Sequence, residues 1–460
     1  MSAEERLLGW MERREGESMP SREELKAIVC RAIDRHSDEI VAVARTILEN
    51  PEPGFREIKT SRLVAQKFAE LGIAYRDGLA ITGVKGMVNA GNTGPTVAIL
   101  GELDSLIVPD HPKADPETGA AHACGHHAQI GMLIGVALGL IKSEVLPYLA
   151  GRVVFMAVPA EEYIEIGFRD KLRKEGKLSF LGGKPELIKL GEFDDVDMAM
   201  MTHTSSLPED KKLAVGGTNN GLLVKQIQFI GQSAHAGAMP HKGINALNAA
   251  TIALSAIHAQ RETFKDDDTI RVHPIITKGG DVVNVVPADV RMETFVRGKT
   301  LEAIMDANKK VDRALRAGAL AVGGKVRIAT LPGYLNLMQD PDLLALYEPN
   351  AVSLVGEEEV GHRGHSTGST DMGDVSHIMP ALHPYAGGAT GIGHGNDYII
   401  QNYQLAVVNP AKAMAMTVVD LLAEDAAPAK AVLGKYKPHM TKQEYLTFME
   451  SLLKEEEYHA

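Results

Sequence analysis

The chain has 460 residues, 45% of them hydrophobic, 23% charged and only 5% aromatic: ordinary globular usage, a mostly aliphatic core, and more length than one core supports. A formal net charge of -12, spread along the chain rather than gathered in a tail, argues against a nucleic-acid or anionic-membrane footprint. The only two cysteines, Cys30 and Cys124, sit in unlike surroundings, which argues against a disulfide framework and fits a reducing compartment.

The first residues, MSAEERLLGWMERREGE, are charged throughout and lack the apolar stretch and cleavage site of a secretory signal, so a cytoplasmic location is expected. Apolar residues recur at helical spacing from Asp38 to Leu48 and from Lys59 to Leu71, the second helix stopping at Gly72. TVAILG (Thr96–Gly101), RVVFMAVP (Arg152–Pro159) and DMAMMTH (Asp197–His203) are short, near-continuous apolar runs, the pattern of strands covered on both faces. The longest apolar run, Gly131–Ile141, is too short to span a bilayer and reads as a buried helix between the first two strands. An α/β fold with a central sheet flanked by helices follows. The polar, glycine-punctuated stretch Glu175–Glu192 reads as a surface excursion.

From about Leu213 to Leu331 the pattern changes to strand (LLVKQIQFIG), helix (Asn245–Arg261), strand (TIRVHPIIT), strand (ADVRMETFVRG), helix (Leu301–Val322) and strand (KVRIATL). This βαββαβ order is the ferredoxin-like split unit. After Pro332, helices and glycine loops return, with a helix near Ala411–Ala423. The expected organisation is a catalytic domain in two parts, 1–212 and 332–460, interrupted by a small domain at 213–331.

In an open α/β sheet the chemistry collects beyond the carboxyl ends of the strands. There this chain places Glu102 and Asp104, then Glu161 and Glu162, then Thr202 and His203, with HACGHH (Cys124, His126, His127) at the mouth of the buried helix. A thiolate, imidazoles and carboxylates together make a first-row metal site, and the candidates exceed the four or so ligands one ion needs, so a binuclear centre is expected. A single cysteine usually packs as a small hydrophobe and a strand-end histidine usually caps. Their joint occurrence carries the reading. If Glu162 binds metal, Glu161 is free to take a proton from the water that the metal activates, and Asp104 can accept the second N–H of His126.

HACGHH, VPAEE, a strand ending in histidine and GQSAHAGAMPHKGINALNAA together resemble the amidohydrolase branch of the glutamate carboxypeptidase and aminoacylase metallopeptidase superfamily. That branch includes aminobenzoyl-glutamate, hippurate and auxin-conjugate hydrolases, and the similarity runs from about Pro51 to the Ala411–Ala423 helix. The resemblance implies two divalent ions held by Cys124 in the bridging place, His126, Glu162, His203 and His394, with His383 and His365 as rivals for the last position. It implies Glu161 as general base. It implies a homodimer through the inserted domain, which also acts as a lid, and His235 stabilising the developing oxyanion in the partner's site. Asn284 and Arg297 match positions that hold the substrate's carboxylate.

Two features depart from the family pattern: His127 where Asp or Asn is usual, and YIEIGFRDKLRKEGK in place of a short glycine-containing stretch. The ligand set suits Zn²⁺, Mn²⁺ and Co²⁺ alike, with zinc or manganese expected. The function that follows is metal-dependent hydrolysis of a small N-acyl amino acid or dipeptide-like amide. A zinc deaminase would need a P-C-x-x-C pair, which two distant cysteines cannot supply. A non-catalytic binding homologue and a peptidase acting on longer peptides are the competing readings.

Overall fold

The computed structural model describes residues 19–89 and 91–460, so the N-terminal segment read above lies outside the described residues. A six-stranded mixed sheet forms the centre of the catalytic domain, in the order Ala74–Leu79, Gly83–Val88, Arg152–Val158, Thr96–Glu102, Met198–Met200 and Ala381–Leu382. The last four run parallel, so their carboxyl ends open on one edge. Thr96–Glu102 is buried at every position, as its unbroken apolar run requires.

The helix behind this edge begins five residues before the apolar run, at His126, and extends to Lys142. It is buried from His126 to Leu140, a helix apolar all round that needs cover on every side. Ser37–Leu48 and Asn409–Leu422 pack against it. The stretch Gln404–Leu422 is long and apolar enough to cross a membrane, but 89% of its most apolar window is buried inside this fold.

The inserted domain has the expected βαββαβ order. Its antiparallel sheet runs Arg271–Val272 and Ile275–Lys278, then Asp289–Gly298, Gly221–Ile230 and Lys325–Tyr334. TIRVHPIIT is two short strands rather than one, because Pro274 has no N–H to donate to the ladder. The helices Ala246–Ala259 and Leu301–Val322 are capped by Asn245 and Thr300 and lie together on one face. Gly318 lets them approach closely: a Cβ there would stand 2.3 Å from the Ala249 carbonyl oxygen.

Three features differ from the sequence reading. The strand Leu213–Asn219, inside the expected insertion, pairs with Val360–Ser366, Leu337–Met338 and Tyr385–Ala386 of the catalytic domain, so the crossover comes near Asn220. The C-terminal strand Lys454–His459 returns to the inserted domain and adds a sixth strand beside Lys325–Tyr334. Its sequence, KEEEYH, carries the charge typical of a solvated sheet edge rather than a core pattern.

The third difference is the stretch Glu175–Glu192, which is no surface excursion. It contains the helix Gly183–Leu190, buried from Gly183 to Ile188, because Lys184 finds two acids in the core. Before it, Ile166–Lys174 forms a further helix, and Tyr163, Ile166 and Leu181 pack with Leu222, Val224 and Leu331 of the inserted sheet. The unusual segment thus joins the two domains.

Glu57, fully buried, accepts bonds from the Thr82 hydroxyl (2.6 Å) and the Ala160 N–H (2.8 Å), and so anchors the turn before Glu161. Burial, with the charge of Asp104, pushes its carboxyl up to about 7 from an ordinary 4.5. Folding therefore favours the protonated form, whose contribution is whole below pH 4.5 and fades as pH rises through 7. Glu57→Gln, neutral at every pH, should gain in Tm relative to the wild-type chain between about pH 5 and pH 8 in thermal melts. A constant difference over that window would contradict the assignment.

Candidate metal centre

Three of the four parallel strand ends deliver side chains to one cavity of about 510 Å³, lined by Cys124, Glu161, Glu162, His203, His383, His394 and Arg297 among others. Cys124 precedes Gly125, whose left-handed φ of 87° starts the buried helix. Gly125 is needed for space as well, since a Cβ would meet the Thr204 hydroxyl at 2.1 Å. Ala160 (φ 53°) and His394 (φ 65°) also hold left-handed backbone, a cost of about 1–3 kcal/mol each that non-glycine residues bear mainly at functional sites.

Five of the expected ligands meet here. Cys124, His126 and His203 form one group and Cys124, Glu162 and His394 another, with donor atoms within 4.8 Å of one another in each. Cys124 is common to both. Its Sγ lies 3.2 Å from His203 Nε2, and His394 Nε2 lies 3.3 Å from Glu162 Oε1. Such spacings match the edges of a coordination polyhedron with bonds of about 2.0–2.3 Å. His126 Nε2 and Glu162 Oε1 are buried without a hydrogen-bond partner. The donor set therefore fits divalent ions.

The surrounding groups fix orientation. His126 Nδ1 faces the Asp104 carbonyl oxygen at 2.9 Å and its Oδ1 at 3.2 Å, while Asp104 Oδ2 accepts the Glu162 N–H at 2.9 Å. His203 Nδ1 donates to the Thr204 carbonyl oxygen at 2.7 Å, leaving Nε2 toward Cys124. Without an ion, burial and the neighbouring Glu162 push the Cys124 thiol up, and burial with Glu102 and Glu162 pushes the Glu161 carboxyl up. His203 is lowered to about 4, chiefly by burial and by the positive field of His126.

The remaining expected residues divide. Arg297 lines the cavity, its Nη1 donating to Ser369 Oγ at 3.0 Å, and no carboxylate pairs with it among the described residues. His235 and Asn284 are exposed and do not line this cavity; their loops are tied to each other by the Ala236 N–H on the Asn284 carbonyl oxygen at 3.0 Å. His383 lines the cavity but stacks on His203, with ring centroids 6.0 Å apart. His365 is held by Thr218, Thr269 and Asn220 outside it. His127 points away, toward His122 and Tyr403, because consecutive helix positions face directions about 100° apart.

Several residues at the site carried no assignment in the sequence reading. The Arg169 guanidinium is buried and binds the carbonyl oxygens of Ala160, Leu181 and Glu162, clamping the turn that presents the acid pair. Tyr334, from the inserted sheet, donates its hydroxyl to the Glu161 carbonyl oxygen. Lys184 pairs with Glu102 and Asp371. Glu102 stood at a strand end in the sequence and was visible by the same rule as Asp104; Arg169 and Lys184 sit in charged or glycine-rich stretches that give no such signal.

Because Cys124 belongs to both groups, Cys124→Ala should weaken binding of both ions in calorimetric titration of the apo-protein with Mn²⁺, whereas His394→Ala weakens one. Loss of a single ion in Cys124→Ala would contradict the shared position.

Comparison with known proteins gives the family of the chain. Residues 218–322 match the peptidase dimerisation domain of the M20 family. The chain is 31% identical over 344 residues to the Xaa-Arg dipeptidase of Mus musculus, covering 72% of each chain. It is 27% identical over 288 residues to IAA-amino acid hydrolase ILR1-like 4 of Arabidopsis thaliana, covering 60% of each. Its fold superposes on the Bacillus subtilis YXEP protein, described as a dinuclear metal-binding peptidase of the M20 family, with a TM-score of 0.63, 21% identity, and coverage of 85% of this chain and 99% of that one. A relative of this identity and coverage, with a matching dimerisation domain and a shared fold, establishes that the chain belongs to the M20 metallopeptidase family.

Proposed function

We propose that the chain is a metal-dependent amidohydrolase that cleaves the amide bond of a small N-acyl amino acid or dipeptide-like substrate, with Glu161 as general base. The carrying observation is a cysteine shared by two ligand groups beside a buried carboxylate that belongs to neither. Two divalent ions there, zinc or manganese, would polarise the substrate carbonyl and lower the pKa of the attacking water to about 7.

The chain's own residues do the rest. Glu161 Oε2 stands 3.9 Å from His126 Nε2, too far to be its hydrogen-bond partner and near enough to take a proton beside it. Having accepted that proton, the same carboxyl can pass it to the departing amide nitrogen. Its backbone is fixed by the Tyr334 hydroxyl, so the base is positioned before substrate arrives. Arg297, a half-buried guanidinium without an acid partner among the described residues, offers two parallel donors to the substrate's free carboxylate.

The mouse relative's name specifies a substrate ending in arginine. Here the cavity carboxylates are Glu162, within the ligand cluster, and Glu161 beside it, and the lining includes the guanidiniums of Arg297, without an acid partner among the described residues, and Arg363, which pairs with Asp210. This lining favours an uncharged or anionic side chain on the released amino acid. A cavity of about 510 Å³ closed by an inserted domain favours small substrates over long peptides. The dimerisation-domain match and the exposed positions of His235 and Asn284 support a homodimer in which these two act in the partner's site.

Glu161→Gln should keep metal content near that of the wild-type chain while hydrolysis of N-acyl amino acids falls by about 10²–10⁴-fold. Mixing it with His235→Ala, itself inactive, should restore part of the rate through dimers holding one intact site. Retained turnover in Glu161→Gln would remove it as the base, and no recovery on mixing would place His235 in its own chain's site.

A further inference from the structure

We propose that Glu102 is a sixth protein ligand of the metal centre, facing the ion held by His126 and aimed by Lys184 and Gln129. The inference rests on the reading of Cys124, His126 and His203 as ligands and extends it to a residue that reading leaves without a role.

The argument starts from proton accounting at His126. Its Nδ1 faces only oxygens, the carbonyl and carboxylate of Asp104, so Nδ1 carries the hydrogen. If His126 ligates, its Nε2 presents a lone pair. Glu102 Oε2 lies 3.1 Å from that nitrogen, and Glu102, His126 and Glu161 form a third group with donor atoms within 4.8 Å of one another. A lone pair and a carboxylate oxygen at this distance repel unless a proton or a metal ion lies between them, and a histidine that ligates through Nε2 has given up that proton. Both residues are sealed from solvent, Glu102 at 0% and His126 at 1% exposure, so water does not relieve the contact.

Glu102 is built to face that point. Its Oε1 accepts from the Lys184 ammonium at 2.6 Å, and its Oε2 accepts from the Gln129 amide at 2.8 Å, leaving one lone pair of Oε2 directed at His126. Lys184 is fully buried and is held in turn by Asp371, which also accepts the Lys184 backbone N–H at 3.0 Å. A carboxylate with one oxygen on an ammonium and the other turned to a ligand histidine is the arrangement of a metal-binding carboxylate oriented from behind. A spacing of 3.1 Å is one that two donors to a single ion can hold.

The test uses full-length protein reconstituted with Co²⁺, whose visible absorption gains intensity as coordination number falls. Metal content, calorimetric titration and the visible spectrum are recorded for the wild-type chain, Glu102→Gln and Glu102→Asp, with circular dichroism to verify folding. Glu102→Asp keeps the charge beside Lys184 but draws the oxygen back by one methylene, and it serves if the glutamine variant does not fold. The expected result is a loss of affinity of at least about 10-fold for one ion of the two, with a rise in visible absorptivity. Unchanged spectra with both ions bound in either folded variant would overturn the ligand role, and weakened binding with an unchanged spectrum would reduce Glu102 to a positioning residue. A wild-type chain that binds no Co²⁺ would instead overturn the metal-centre reading itself.

Discussion

The site is governed by negative charge buried where water cannot solvate it. Glu102 and Asp104 are 0% exposed, Glu161 and Glu162 only 7% and 8%, and Cys124 stands among them. Lys184 is shared between Glu102 and Asp371, and Arg297 is the guanidinium that feels the charges of Glu161 and Glu162. Groups so placed must take up protons or cations. Without an ion they take up protons: burial and neighbouring acids raise Cys124 and Glu161, and His126 is raised against its own burial by Cys124 and Glu102. Divalent ions displace those protons, so metal binding and deprotonation are one event.

The fold exists to bring these charges together and hold them there. Parallel strands that share one edge place acids and histidines from distant segments within a few ångströms, the general property of open α/β sheets. The inserted domain touches the same point from the other side. Tyr334 donates to the Glu161 carbonyl oxygen and Tyr163 to that of Pro332 (2.8 Å), so the turn bearing Glu161 is bonded to a strand of the insertion. Arg169, from the helix Ile166–Lys174, completes the clamp. The inserted domain thereby helps to hold Glu161 in place.

Much of this was legible in the sequence because local pattern and tertiary role coincide. Leu301–Val322 carries an unbroken helical period and ends at Gly323, and the structure has those bounds. Cys124, His126, Glu162 and His203 were legible because each follows a buried strand or opens a buried helix, where polar residues need a reason. Lys184 was not, since a lysine beside two glycines looks solvated until its acids, from segments far along the chain, are seen around it. The strand Lys454–His459 was not, because an edge strand needs no apolar alternation. His235 and Asn284 lie on the surface outside the cavity, and no local pattern marks which surface residues have a role.

Anomalous diffraction at the manganese edge, from crystals grown with Mn²⁺, tests the central claim most directly. The account predicts two peaks in the cavity, each about 2.0–2.5 Å from its donors, with Cys124 Sγ between them and His126 Nε2 on one side and Glu162 on the other. A single peak, or peaks away from Cys124, would contradict it.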